Sequence, residues 1–120
     1  MGDYSNALSC QQKALKIAQN NLPSNHPGLA ASYSNIGGVY YCLGDYNNAL
    51  SYHKKALEVR EISLPLNHPE LAASYGNIGL LYNAMGDYSN ALSSYQKALE
   101  ISRKCFLSDH PNWAVSYNNI

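Results

Sequence analysis

The chain has 120 residues, which is enough for one domain with a modest core, and no shift in composition marks a second domain. Apolar residues make up 46% and charged residues only 13%, a balance typical of a folded protein. Eight Lys and Arg balance eight Asp and Glu, and no stretch approaches the roughly 20 apolar residues of a membrane span, so we expect neither nucleic acid nor a membrane as a partner.

The beginning of the chain and its cysteines predict a reducing compartment. The sequence MGDY lacks the basic start and the apolar run of a signal peptide, which favours a cytoplasmic protein. Cys10, Cys42 and Cys105 are odd in number and irregularly spaced, so we expect reduced thiols rather than disulfides or a zinc site.

The sequence repeats itself every 42 residues. The pairs His26-Pro27, His68-Pro69 and His110-Pro111 keep this spacing, and residues 1–9 and 85–93 both read MGDYSNALS. A period of this length is the mark of structural units that stack on one another, so it predicts the fold class before any single element does.

The first predicted helix covers about residues 3–20. Its apolar residues recur at the spacing of one helix face, and Leu22-Pro23 ends it. They are Tyr4, Ala7, Leu8, Ala14 and Leu15. We call this type of helix, which follows a Gly-Asp pair, helix B.

The second predicted helix begins at Pro27, because proline presets φ and its missing N–H would be unpaired at a helix start. Gly44 ends it, since glycine readily adopts the left-handed conformation that is common after a helix. We call this type helix A. Its apolar face consists of Leu29, Tyr33, Ile36, Gly37 and Tyr40.

The third predicted helix is another helix B, with Asp45 as its N-cap and Leu64-Pro65 at its end. A glycine inside a helix costs about 1 kcal/mol relative to alanine, so Gly37 indicates a close contact between helix A and helix B. Ala49 and Ala56 are small enough to allow this contact. The two helices are therefore predicted to form a hairpin.

The pattern then repeats, with a helix A from Pro69 to Gly86, a helix B after Asp87 and a further helix A from Pro111. One hairpin cannot bury its apolar face alone, so stacked hairpins are predicted to share a continuous core. The predicted division is residues 1–24 as helix B of a preceding unit, 25–66 and 67–108 as two complete units, and 109–120 as the start of another.

These residues resemble the tetratricopeptide repeat (TPR), in the 42-residue form of kinesin light chains and nephrocystin-like proteins. The resemblance covers the whole chain and is carried by HPGLAASYSNIGGVYYCLGDYNNALSYHKKALEV and HPELAASYGNIGLLYNAMGDYSNALSSYQKALEI. It implies an all-α, right-handed superhelical solenoid of antiparallel helix pairs. It also implies a non-catalytic adaptor that binds a partner protein on the concave surface formed by its helices A.

The candidate binding residues lie on the face of helix A that points away from the hairpin contact. Asn35, Asn77 and Asn119 recur once per unit, and a column of carboxamides offers donors and acceptors to an extended peptide. The alternative is that each Asn bonds neighbouring helices inside the stack. The predicted peptide-binding residues are Asn35, Tyr41, Asn77, Leu80, Asn83 and Asn119.

The charge of the helices A predicts the kind of ligand. No Lys or Arg lies between Pro27 and Gly44 or between Pro69 and Gly86. The basic residues with which related arrays bind terminal carboxylates or acidic peptides are thus absent from these two units. We expect an uncharged or mildly apolar extended segment as the ligand.

No cofactor, metal or catalytic site is predicted. Packed helices lie roughly 8–10 Å apart, so the histidines of successive His-Pro pairs cannot converge on a zinc ion at about 2 Å, and we expect them to act at helix starts. His53 is predicted to be a packing variant of the position held by Tyr95. An enzyme would need nonequivalent polar residues at one point, whereas most polar residues here repeat at structural positions.

A structural role is the alternative to peptide binding. Trp113, Tyr117 and Ile120 lie on a predicted helix A that lacks its helix B in this sequence, and the first helix B lacks its own helix A. Head-to-tail association of copies would cover both faces, and such a contact need not close. The chain would then be a spacer or a self-associating segment of a larger protein.

Overall fold

The structure is a computed structural model that describes residues 3–109, with side chains for residues 3–106. These residues form five α-helices and no strand: α1 (Tyr4–Asn21), α2 (Pro27–Cys42), α3 (Tyr46–Ser63), α4 (Pro69–Ala84) and α5 (Tyr88–Asp109). Each helix packs against the next one in chain order. The predicted all-α stack of helix pairs is therefore confirmed, with α2–α3 and α4–α5 as the complete pairs. No described helix is both long and apolar enough to cross a bilayer.

The His-Pro pairs begin helices A through a side-chain cap. His26 Nδ1 accepts a hydrogen bond from the backbone N–H of Gly28 at 3.0 Å, and His68 Nδ1 accepts one from the N–H of Glu70 at 3.1 Å. Proline follows each histidine at the first helical position, where no N–H is needed. The predicted helix-start role is confirmed for His26 and His68, and His110 lies outside the described residues.

A tight turn joins the two helices of each pair. Gly44 has a φ of 80°, and the N–H groups of Gly44 and Asp45 donate to the carbonyls of Tyr41 and Tyr40 at 3.0 and 2.9 Å, which is the Schellman arrangement. Asp45 then caps α3 by accepting a hydrogen bond from the N–H of Asn48 at 3.3 Å. The turn between α4 and α5 repeats this geometry, so the predicted left-handed glycines and Asp caps are confirmed.

The two helices of a pair touch at a glycine. A Cβ atom added to Gly37 would lie 2.8 Å from the ring of His53 and 3.2 Å from the carbonyl oxygen of Ala49. A Cβ atom added to Gly79 would lie 2.8 Å from the ring of Tyr95. Both the predicted close contact at Gly37 and the role of His53 as the counterpart of Tyr95 are confirmed.

α5 differs from the other two helices B in length and in exposure. It has 22 residues where α1 and α3 have 18, because Phe106-Leu107 replaces the Leu-Pro pair that ends the others. The apolar face predicted for helix B is only partly buried here, since Leu99 is 73% exposed. The equivalent Leu57 packs against the cluster around Leu71 in α4. The residue equivalent to Leu71 in the next unit is Trp113, which lies outside the described part of the chain.

Candidate functional site

A depression of about 380 Å³ lies on the helix-A face between α2 and α4. Each of these helices contributes one wall, and α3 contributes the floor. The walls come from successive units, so the depression belongs to neither unit alone. Its lining residues are Ser34, Asn35, Gly38 and Tyr41 of α2, His53 of α3, and Asn77, Leu80 and Leu81 of α4.

The structure brings together four of the six predicted binding residues. Asn83 is also exposed, but it does not line this depression, because it occupies in the second unit the position that Tyr41 holds in the first. Asn119 lies outside the described residues. The four residues that share the depression are Asn35, Tyr41, Asn77 and Leu80.

The carboxamides of Asn35 and Asn77 are available to a ligand. Both side chains are exposed, and neither makes a hydrogen bond to another residue within 3–109. The alternative role, bonding between helices inside the stack, is therefore not observed at these two positions. A Cβ atom added to Gly38 or Gly76 would have no neighbour within 4 Å, so the surface beside the amides is open to close approach of a peptide backbone.

His53 supplies the polar part of the floor. It is only 7% exposed, its ring lies against Gly37, and neither ring nitrogen has a hydrogen-bond partner among the described residues. The nitrogens are not completely enclosed, because Gln11 Oε1 is the one described side-chain atom that is both fully enclosed and without a partner. Burial lowers the pKa of His53 below its usual value of 6.5, and the positive charge of Arg60 lowers it further. The ring is therefore neutral at pH 7.

Arg60 brings a positive charge from α3 to the edge of the depression. Its Nη1 donates to Ser34 Oγ at 3.1 Å and to Ser74 Oγ at 2.7 Å, so it links α2 and α4. The helices A carry no Lys or Arg, as the sequence showed, but this cation from a helix B was not anticipated. The signal that could have found it is a break in the repeat, since Ala18 and Ser102 occupy the equivalent positions.

His53 also departs from the repeat, with Gln11 and Tyr95 at the equivalent positions. The sequence predicted its packing but not its place in the depression, because the crossing of three helices decides which helix-B residues reach the helix-A face. A comparison of the units for positions that differ would have singled out both His53 and Arg60.

A second polar contact lies between α3 and α4, outside the depression. The Tyr75 hydroxyl donates to Glu61 at 2.9 Å, and burial and this hydrogen bond raise the pKa of Tyr75 to about 12. In the preceding unit the Tyr33 hydroxyl accepts from Gln19 at 3.2 Å. Because the contact recurs with different partners, we interpret it as structural. Among the described side chains, no three His, Cys, Asp or Glu lie close enough to hold a metal ion.

Solved structures with the same fold include proteins of two organisms. BtubC (BKLC) from P. vanneervenii has a TM-score of 0.78 and 25% identity over 84% of this chain and 41% of that chain. The kinesin light chain TPR-like repeat protein of Podosopora anserina has a TM-score of 0.79 and 23% identity over 92% of this chain and 53% of that chain. The chain thus spans about half the length of the structures that it resembles, or less.

Sequence comparison gives the family. No curated protein matches the chain significantly. The family model described as tetratricopeptide repeat, however, matches residues 1–62 and 68–120, which is nearly the whole sequence. The chain therefore belongs to the tetratricopeptide repeat family.

Proposed function

We propose that this chain is an adaptor that binds an extended segment of a partner protein across α2 and α4. The tetratricopeptide repeat is in general a non-catalytic fold that binds other proteins. One observation carries the proposal. Within the depression, the exposed carboxamides of Asn35 and Asn77 stand at equivalent positions of successive units, and neither has a partner among the described residues.

The chemistry of the depression suits an extended backbone. A carboxamide has both donors and an acceptor, so each Asn can pair with the N–H and the C=O of the ligand main chain. Each such hydrogen bond contributes about 1 kcal/mol net. Tyr41 and Leu80, which are 42% and 50% exposed, offer apolar surface beside the amides. Because the lining side chains are uncharged, we propose that most of the bound segment is uncharged or mildly apolar.

We propose further that the chain is part of a longer array, because it spans only about half of similar solved structures. Residues 25–66 and 67–108 would be complete repeats, and residues 1–24 and 109–120 would belong to their neighbours. A cytoplasmic location fits Cys10 and Cys42, whose exposed thiols would be open to oxidation outside a reducing compartment.

The test is a peptide-array screen that uses acetylated, amidated decapeptides as probes. With one hydrogen bond of about 1 kcal/mol counted for each Asn, we expect Asn35→Ala/Asn77→Ala to weaken the binding of captured peptides by at least about thirtyfold. Asn20→Ala/Asn47→Ala is the matched control, because these amides are also exposed and unbonded among the described residues but lie outside the depression.

Circular dichroism must first show that both double variants keep the helical content of the wild type. Equal binding by both variants would contradict the site, and unfolding of the Asn35→Ala/Asn77→Ala protein alone would return these residues to a structural role. Capture of no peptide by the wild type would contradict the proposed function itself.

Head-to-tail self-association is a second candidate, favoured by an exposed apolar residue on α1. Ile17 is 62% exposed, whereas its equivalent Val59 packs against Ala30 of its own helix A. We propose that Ile17 of one copy contacts the face predicted from the sequence for Trp113, Tyr117 and Ile120 of the next copy, three residues that lie outside those described.

Sedimentation over a range of concentrations tests this second candidate. We expect the mass of the wild type to rise with concentration and Ile17→Lys to remain a monomer. Leu43→Lys is the control, because Leu43 is 45% exposed and lies in the turn between α2 and α3, on neither α1 nor α5. A wild-type monomer at every concentration would remove this candidate.

A further inference from the structure

The floor of the depression holds a polar side chain that the proposed backbone contacts do not use. His53 is more than nine-tenths buried, lines the depression and has no hydrogen-bond partner among the described residues. Its ring nitrogens are not completely enclosed, so a ligand group in the depression, which Asn35 and Asn77 also line, can replace water at His53.

The side chains around this point can act as hydrogen-bond donors. Ser34 Oγ accepts a hydrogen bond from Arg60 Nη1 at 3.1 Å and makes no other among the described residues, so its own proton can be donated to a ligand. The neutral ring of His53 offers one N–H, and the amides above it offer more. A ligand group rich in acceptors fits this arrangement.

The charges around the depression also favour an anion. Within the described chain, no Asp or Glu oxygen lies within 4.0 Å of the guanidinium of Arg60, and no Asp or Glu lines the depression. α2 contains no charged residue, and α4 contains only Glu70, in its first turn. On α3, Lys54 and Lys55 lie over tyrosine rings, and the two acidic residues, Glu58 and Glu61, line a separate depression beside Tyr75. Arg60 is thus the charge that acts on His53, and it lacks a counter-ion among residues 3–106.

We propose that the depression binds one carboxylate-bearing side chain, an aspartate or glutamate of the extended segment. His53 and Ser34 donate hydrogen bonds to the carboxylate, and Arg60, held by Ser34, offsets part of its charge. The remainder of the segment is uncharged, because the walls offer only amides, two hydroxyls and apolar groups. This inference rests on the proposed function and adds the one position at which the ligand carries a charge.

The repeat itself supplies matched variants for the test. Arg60→Ser introduces the residue found at the equivalent position of α5, and His53→Gln introduces the residue found at the equivalent position of α1. Each substitution therefore uses a side chain that the same fold already holds at that position. Circular dichroism checks that both variants remain folded.

The first measurement uses a positional-scanning library of acetylated, amidated hexapeptides as the probe. We expect one position at which Glu or Asp binds about tenfold more tightly than Gln or Asn, because a charge-assisted hydrogen bond is worth more than a neutral one. Arg60→Ser and His53→Gln should each remove this preference. Asn20→Ala/Asn47→Ala, which lies outside the depression, should bind every peptide as the wild type does and keep the preference for acid.

The carboxylate subsite would be overturned, and the proposed function would stand, if peptides bound through the two Asn residues without a preference for acid. A preference for acid that survives both substitutions would also overturn the subsite and leave the proposed function standing.

If no peptide binds, the proposed function fails, and a second measurement decides the subsite separately. N-acetylglutamate N-methylamide should shift the ring signals of His53 in a saturable way, and the glutamine analogue should not. Equal shifts with both compounds, or none, would overturn the subsite.

Discussion

Gly37 and Gly79 lie inside helices, where alanine would ordinarily be preferred. An aromatic ring faces each glycine, and the two rings differ in how deeply they are buried. The ring of His53 opposite Gly37 is 7% exposed, whereas that of Tyr95 opposite Gly79 is 38% exposed. A buried ring in a close-packed interior cannot move aside, but a partly exposed ring can rotate towards water. The same substitution should therefore have different costs at the two sites.

We expect Gly37→Ala to lower the free energy of unfolding by about 1–2 kcal/mol, because overlap with the ring of His53 outweighs the gain in helix propensity. Gly79→Ala should remain close to the wild type. Gly76→Ala is the control, since its Cβ would meet nothing within 4 Å, and it should raise stability by up to about 1 kcal/mol. Urea unfolding measures all three, and equal effects at Gly37 and Gly79 would contradict the packing argument.

His53 should make stability depend on pH in a defined direction. Burial, with the charge of Arg60, lowers its pKa in the folded state below 6.5, so the unfolded chain binds the proton more readily. The free energy of unfolding should therefore fall as pH falls below about 6.5, through the lowered pKa of the folded state. In His53→Tyr this component should be absent. Urea titrations between about pH 7.5 and pH 5 test this, and parallel curves for the two proteins would exclude His53 as the cause.

The turn between α2 and α3 depends on one glycine and one aspartate. Gly44 provides the left-handed residue after α2, and Asp45 follows as the N-cap of α3. A Cβ on Gly44 would touch nothing within 4 Å, so only its backbone conformation demands glycine. The loss of stability on replacing Gly44 therefore measures only the free-energy cost of the left-handed backbone conformation for the new residue.

Gly44→Ala should lower the free energy of unfolding by about 1–2 kcal/mol, and Gly44→Asn should lower it less, because Asn tolerates the left-handed region. Thermal or urea unfolding of the two variants gives the comparison. If alanine and asparagine had the same effect, the loss would have to come from something other than the positive φ.

Local chemistry explains why the helix boundaries could be predicted and the floor of the depression could not. Proline starts, Asp caps and left-handed glycines act within a few residues, so the starts and ends of α2 and α3 can be derived from sequence alone. Helical spacing likewise brings Asn35 and Asn77 to one face. The position of His53 in the depression and the contact of Arg60 with Ser34 depend on how α2, α3 and α4 pack against one another. The spacing of residues within one helix does not determine that packing. No end was predicted for α5, because Phe106-Leu107 stands where Leu-Pro ends α1 and α3.

At the scale of the whole molecule, the chain is a stack in which each helix depends on its neighbours in sequence. α1 packs mainly against α2 and contains one buried residue, Leu15, whereas α4 is packed between α3 and α5 and contains several. The free energy needed to open a helix should therefore be lowest at α1 and higher in the middle of the stack.

Native-state hydrogen exchange tests this gradient. We expect the backbone amides of α1 to exchange well before those of α3 and α4, because opening α1 breaks a single interface. Leu15→Ala should accelerate exchange in α1 with little effect on α4, since its contacts are with α2. Uniform protection of all the described helices would show instead that the stack opens as one unit.

The depression has one wall in each of two units, and this has a mechanical consequence. A segment that contacts Asn35 and Asn77 together would link α2 to α4. Bending that separates these two helices would then have to break the contacts between the segment and one of the two Asn residues. By thermodynamic reciprocity, a bound segment stiffens the array, and tension that straightens the array weakens the segment's binding. If a segment binds there as proposed, an array of such units would release it under load, so occupancy of the depression would report the force on the protein that contains it.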